Sequence, residues 1–452
     1  MSLTLNLTNT FSDKIGPHGV TMEEAAGIRS HLRDAMHSVY DRHARGELYY
    51  LDLPFDAEAY TACESAARSF AGAENLLVAG IGGSALGPSA IFGALAHPLH
   101  NLLPREQRSG KPRLFLLDNV DPDLATAQFE LCDPRETVFN IISKSGATAE
   151  TAAATLLIFD RLKKALGAQW KNHVICTTDP VSGDLRQLCQ KEGLPTLDLP
   201  SSVGGRFSVL TAVGLFPSFM LGFDVEAMMH GASDMAARCL DEDLDMNPAA
   251  QMATLLYLMD TAKHKPMHVM MAYANSLYLL ADWFRQLWAE SLGKAADVDG
   301  VIVNSGPTPI KALGTTDQHS QVQLYIEGPH DKMFIFLEAQ EFRKELILPS
   351  LYPEVSSLNY LGGQSMNKLM AAEFAATREA LAREGRPSMT ISFPELNAYA
   401  VGEFFMLLEM ATTLCGSLYN INPFDQPGVE LGKVLTYGLM GRKGFEDKAD
   451  GI

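Results

Sequence analysis

Short apolar runs rich in Val, Ile, Leu and Phe alternate with longer segments of helical period along most of the chain, the pattern of parallel α/β sheets. In the first half, runs at 76–80, 113–117, 138–143, 174–177 and 196–199 predict strands, and 88–96 and 148–166 predict helices. A second set of strands is predicted at 267–272, 300–303, 333–337 and 389–392, again with helices between. Two α/β units in tandem follow, each a parallel sheet flanked by helices. Between them, 224–261 reads as Ala- and Met-rich helix with an acidic run at 241–245 and Pro248, which places the junction there. The expected division is an N-terminal helical segment at 1–45, a first unit at 46–222, a helical connection at 223–260, a second unit at 261–418 and a Pro- and Gly-punctuated tail at 419–452.

Composition narrows the partners. Lys and Arg number 36 against 54 Asp and Glu over 452 residues, a formal charge of −18, which argues against nucleic acid. A content of 47% hydrophobic and 20% charged residues is that of a globular chain able to bury a core. No uninterrupted apolar run approaches the roughly 18 residues that cross a bilayer, since even the run at 404–408 meets Glu409, so no membrane partner is expected. The N-terminus alternates Leu with Thr and Asn and has no cation before Lys14, unlike a secretory leader. The six cysteines are scattered without a CxxC pair, and Pro266 breaks the His264 and His268 spacing. A reduced, cytoplasmic protein with no metal and no organic cofactor is expected.

Candidate chemistry sits in strand-to-helix loops. The first, Gly80-Ile-Gly-Gly-Ser-Ala-Leu-Gly87, includes Gly83 and Ser84 and lets backbone amides approach an anion. Read as GxGxxA it suggests a nicotinamide dehydrogenase instead, but Asp118 lies nearly 40 residues on, where the fingerprint wants an acid about 20 on. The second loop, 143–151, gathers the hydroxyls of Ser143, Ser145, Thr148 and Thr151 around Lys144 and Gly146, which suits a phosphate monoester; helix capping alone needs one hydroxyl. A third turn, 201–208, pairs Gly204 and Gly205 beside Arg206, a permanent cation able to face an oxyanion.

In the second unit a helix is expected at 276–292, capped by Asn275 or Ser276 and stopped by Gly293, with Gln286 and Glu290 at i and i+4 off its apolar face. Pairing with Lys294 four residues on is the bland alternative for Glu290. His319 falls in a polar run, where an imidazole suits proton transfer. Near the C-terminus, Gln426 and Lys433 are seven apart, two helical turns, and could point the same way.

Taken together, GIGGSALG (80–87), SKSGATAET (143–151), GGRFS (204–208), AESLGK (289–294), GTTDQHS (314–320) and FDQPGVELGK (424–433) resemble, in order, the glucose-6-phosphate isomerase (phosphoglucose isomerase) family in its shorter bacterial form. The resemblance implies two sugar-isomerase domains in a homodimer with shared active sites, and a glycolytic and gluconeogenic aldose-ketose isomerisation of a sugar phosphate. It implies that Ser84, Ser143, Lys144, Ser145 and Thr148 hold the phosphate, with Gly83 and Gly205 lining the site. Glu290 would then move a proton between C2 and C1 through a cis-enediol(ate) that Arg206 stabilises. Lys433 and His319, the latter from the other subunit, would assist ring opening, and Gln286 and Gln426 would line the sugar site. A non-catalytic sugar-phosphate regulator on the same scaffold is the alternative. Between Lys294 and Gly314 the chain matches no usable form of the motif, and activity on mannose 6-phosphate stays open.

Overall fold

The computed structural model describes residues 2–449 and 451–452. Its strands are β1 (Thr4–Asn6), β2 (Asn75–Ala79), β3 (Arg113–Leu117), β4 (Thr137–Ile142), β5 (Val174–Thr178), β6 (Thr196–Asp198), β7 (Met267–Tyr273), β8 (Lys294–Ala296), β9 (Ile302–Ser305), β10 (Thr308–Leu313), β11 (Lys332–Glu341) and β12 (Ser388–Glu395). Every residue of β2, β4 and β5 is buried, which is why these strands read as continuous apolar runs rather than as alternation.

Strands β2 to β6 form one parallel sheet in the order β3-β2-β4-β5-β6. The second sheet has the order β1-β12-β11-β7-β10, parallel except for β1, which runs antiparallel to β12 at the edge. Leaving β1 aside, both sheets are wound alike: the first strand is internal, the second lies on one side of it, and the third and fourth lie on the other. In such a winding the crevice opens beyond the C-terminal ends of the first and third strands, where the order reverses. In the first sheet those ends are the loops after β2 and β4, the two richest in Gly, Ser and Thr.

Two elements depart from the sequence pattern. The apolar run expected as a strand at 300–303 becomes β9, which pairs antiparallel with β8 in a separate hairpin and leaves Ile302 70% exposed. The sheet strand is instead β10, whose Pro309 and Lys311 hid it; as an edge strand it tolerates a residue without an N–H. The N-terminal segment, expected to be helical and peripheral, contributes β1 to the second sheet, and the Leu3 amide donates 2.7 Å to the fully buried Glu403 carboxylate.

The Ala398–Leu418 helix is, by length and composition, apolar enough to cross a membrane, which inspection for uninterrupted runs had excluded; 94% of its most apolar window is buried inside the protein. It packs against the Val225–Cys239 and Pro248–Thr261 helices as a core element. Glycines bring the first pair close: a Cβ at Gly402 would lie 1.9 Å from the Met228 carbonyl oxygen, and one at Gly231 2.0 Å from that of Tyr399. Within this helix Glu409 is fully buried, and neither carboxyl oxygen has a hydrogen-bond partner among the described residues. Burial pushes its pKa well above the ordinary carboxylate range.

The folded chain therefore keeps a proton on Glu409 at pH values where the unfolded chain has lost it. The contribution of Glu409 to stability is most favourable below its ordinary pKa of 4.5 and is lost as pH rises toward the raised one. Glu409→Met should gain about 1–3 kcal/mol near pH 8 and less near pH 5. Chemical denaturation at both pH values checks this; an equal or smaller gain at the higher pH would contradict it.

Candidate active site

Arg206 lies in the short turn Gly205–Phe207 that follows β6, and only 2% of it is exposed. Its neighbour Phe207 is fixed between the rings of Tyr50 and Phe424, each at 5.1 Å. All five guanidinium N–H groups have acceptors. Nε donates to Ser291 Oγ at 2.7 Å, and Nη1 donates to Glu290 Oε1 at 3.2 Å and Gln426 Oε1 at 2.9 Å. Nη2 donates to the Pro423 carbonyl and to the Asp425 carbonyl at 3.0 Å. Burial lowers the Arg206 pKa, opposed by the charges of Glu290 and Asp425. One cation thus ties the end of a second-unit helix to the turn that begins the C-terminal tail.

That helix spans Tyr278–Leu292 and is preceded by a 3-10 turn, Asn275–Leu277, so neither Asn275 nor Ser276 caps it by side chain. Leu280, Phe284, Leu287 and Trp288 bury its apolar face, which turns Gln286 and Glu290 toward the first unit. Gln286 Nε2 donates 2.9 Å to Glu290 Oε2, while Gln286 Oε1 is buried without a partner among the described residues. The expected Lys294–Glu290 side-chain pair does not form. Lys294 Nζ instead donates to the backbone carbonyls of Glu290 (2.9 Å) and Ser291 (2.8 Å), neutralising the helix C-terminus. Glu290 keeps one carboxylate oxygen on each of Arg206 and Gln286, and its side chain remains 26% exposed, so the candidate base stands at an accessible mouth.

The glycine loops close the other side. Gly82 has φ +60°, and a Cβ there would sit 2.9 Å from Gln286 Nε2; a Cβ at Gly83 would lie 1.9 Å from the Gly205 carbonyl oxygen. The Gly83–Leu95 helix starts inside the motif, and the Ser84 hydroxyl beside its N-terminus makes no hydrogen bond to described residues. In the neighbouring loop, Ser143 Oγ accepts from the Gly146 amide at 3.0 Å and Ser145 Oγ from the Ala147 amide at 3.2 Å, leaving both hydroxyl hydrogens available to donate. Thr148 holds the N-cap position of the Ala149–Leu166 helix but makes no side-chain cap bond, so simple capping does not explain it. Lys144 Nζ straps this loop to the third turn through the carbonyls of Ser201 (2.5 Å) and Val203 (3.1 Å). Burial lowers the Lys144 pKa, partly offset by Asp179. The Asp179 pKa is itself brought down to about 2, chiefly by the Ser201 hydroxyl and then by the Ser182 and Val181 amides.

The structure thus gathers Gly83, Gly205, Arg206, Gln286, Glu290 and Gln426 around one mouth, beside the loops carrying Ser84, Ser143, Lys144, Ser145 and Thr148. It does not bring in the remaining two. Lys433 Nζ pairs with Glu430 at 2.6 Å on an exposed helix, Glu430–Leu439. Gln426 and Lys433 do not share a helical face, because the 3-10 turn Pro427–Val429 intervenes and Gln426 turns back to Arg206. His319 is exposed just beyond the turn Thr316–Gln318, with no bond to Arg206 or Glu290. Ser291, Lys294, Pro423 and Asp425 join the site without having been singled out by their own side-chain chemistry: Ser291 and Lys294 lie inside AESLGK and act through Oγ and Nζ, whereas Asp425 and Pro423, the latter just before FDQPGVELGK, act through backbone carbonyls, which no side-chain motif reveals. Tyr437 Oη donates 2.9 Å to the Ala147 carbonyl and joins the tail to the hydroxyl-rich loop.

Comparison with known proteins identifies the family. The family described as phosphoglucose isomerase matches residues 57–444. A glucose-6-phosphate isomerase from Carboxydothermus hydrogenoformans is 43% identical over 99% of this chain and 97% of its own length. One from Thermus thermophilus is 37% identical over 96% of this chain and 99% of its own length. Among solved structures, a hypothetical protein from Thermus thermophilus superposes with TM-score 0.87 at 36% identity, covering 97% of this chain and 99% of that one. A glucose-6-phosphate isomerase from Chlamydia trachomatis gives 0.74 at 25% identity, covering 85% and 73%. With a family match over most of its length and full-length relatives well above 30% identity, this chain belongs to the phosphoglucose isomerase family.

Proposed function

We propose that this chain interconverts glucose 6-phosphate and fructose 6-phosphate by proton transfer, with Glu290 as the base, and that it does so in the cytoplasm. The observation that carries the reading is the Glu290 carboxylate, held by Arg206 and Gln286 at an accessible mouth beside a loop with several uncommitted hydroxyls. The phosphate takes hydrogen bonds from Ser84, Ser143, Ser145 and Thr148 at two helix N-termini, in the field of Lys144. Glu290 removes the C2 proton of the open-chain aldose. The C–H electron pair forms the C1–C2 double bond, and the carbonyl electrons move onto O1. Returning the same proton to C1, while the O2 hydroxyl passes its proton to the O1 oxyanion and becomes the ketone, completes the change without any external redox partner. Arg206 stabilises the enediolate by its charge, since its N–H groups are occupied in this state, and the unpaired Gln286 Oε1 accepts from a sugar hydroxyl. All six cysteines are free and buried, in keeping with a reducing compartment.

We further infer a homodimer that completes the site. The 341–366 excursion exposes Leu346, Ile347, Leu351, Tyr352, Leu358 and Tyr360, an apolar set suited to a second copy of the chain. His319, exposed and remote from its own Glu290 network, then reaches the partner's site, where with Lys433 it opens the sugar ring.

Glu290→Gln should keep the geometry, lower kcat by roughly a thousandfold or more, and leave binding of a phosphorylated sugar acid largely intact. Retained turnover would remove the base assignment, whereas a wild type that binds but never turns over would point to a regulator. Co-expression of Glu290→Gln with His319→Ala should recover about a quarter of wild-type activity, because heterodimers make up half of the population and carry one intact site of two. Activity no higher than that of the separate variants would contradict a shared site.

A further inference from the structure

We propose that the protein carries a second oxyanion site, for inorganic phosphate or the phosphate end of a short ester, in a pocket between β1, β12 and the Met366–Arg383 helix. The pocket has a volume of about 210 Å³, and its lining includes Lys14, Arg378, Ser388, Thr390 and Asn6. None of these belongs to the Arg206–Glu290 centre.

The strand pattern makes the pocket polar. On β12, Met389, Ile391 and Phe393 enter the core, so Ser388, Thr390 and Ser392 face the other way, toward the segment that follows β1. Ser388 is 1% exposed and its hydroxyl oxygen has no hydrogen-bond partner among the described residues, a cost that a bound acceptor would remove. Asn6 Oδ1 accepts from the Thr8 amide at 3.0 Å, which leaves its Nδ2 donor unused.

The charges select an anion. Neither Lys14 nor Arg378 is in an ion pair among the described residues, although the chain carries an excess of 18 acidic groups; the Arg378 guanidinium instead stacks 5.0 Å over the Phe374 ring. The pocket's carboxylate, Glu379, bonds Arg383 at 2.8 Å, which chiefly lowers its pKa, and the charges of Lys14 and Arg378 lower it further, so one carboxylate stands among three cations and the local balance stays positive. The volume leaves room for a phosphate with its hydration or a short ester. No aromatic ring lines it to stack a base. An occupant would link the N-terminal segment, the edge of the second sheet and the helix over it, stabilising the fold by mass action.

Equilibrium dialysis of the full-length protein with labelled inorganic phosphate tests this, with the active site filled by a saturating six-carbon phosphorylated sugar acid. One phosphate per chain should remain bound, and Arg378→Gln and Lys14→Gln should each weaken it about tenfold. Both variants should keep wild-type kcat and KM. Displacement of the label by a three-carbon phosphorylated acid assigns the pocket to an ester, and failure to displace it assigns the free ion; either upholds the site. No residual binding, or residual binding indifferent to both substitutions, would overturn it.

Discussion

A buried guanidinium with all five donors satisfied is the constraint from which the site takes its shape. Removing Arg206 from water is costly, and the cost is offset because five acceptors from two separate stretches of chain converge on it: Glu290 and Ser291 from one, and Pro423, Asp425 and Gln426 from the other. A lysine has only three donors and no planar fork, so it could not hold these partners together. Leaving them unpaired would cost on the order of 3–5 kcal/mol. The same contacts fix the base, because one oxygen of Glu290 is aimed by Arg206 and the other by Gln286.

The fold supplies these pieces through repetition with divided labour. Two sheets share one winding, yet the first crevice takes the hydroxyl-rich loops after β2 and β4, while the second unit contributes the C-terminal end of its first helix. Close approach between the units depends on missing side chains. With a Cβ at Gly82 or Gly83 the loop could not lie against Gln286 and Gly205, and the base would stand off from the anion loop. Lys294 adds a charge at the helix end without touching the carboxylate, so it steadies the backbone of Glu290 and leaves the side chain to Arg206 and Gln286.

The buried parallel strands were legible in the sequence because short continuous apolar runs between helical stretches have few other uses, and β2, β4, β5, β7, β11 and β12 lie where the pattern put them. The edges were not. Strand β10 carries Pro309 and Lys311 because one side of it meets no partner, and β9 is apolar although exposed, so pattern alone exchanged their roles. Within the site, residues that act through side-chain chemistry were readable: Glu290, Gln286, Arg206 and the loop hydroxyls. Residues that act through backbone carbonyls, such as Pro423 and Asp425, left no such mark. The strapping of Lys144 to the carbonyls of Ser201 and Val203 depends on three-dimensional proximity that spacing does not encode.

The most direct test of this account is steady-state kinetics on Arg206→Lys, which keeps the charge and removes the fork. If the fork positions Glu290 and the 423–426 turn, kcat for fructose 6-phosphate should fall about a hundredfold, with KM little changed because the phosphate loop is untouched. A variant that melts cooperatively and turns over at the wild-type rate would show that charge alone suffices and that the five-donor network is not what holds the base.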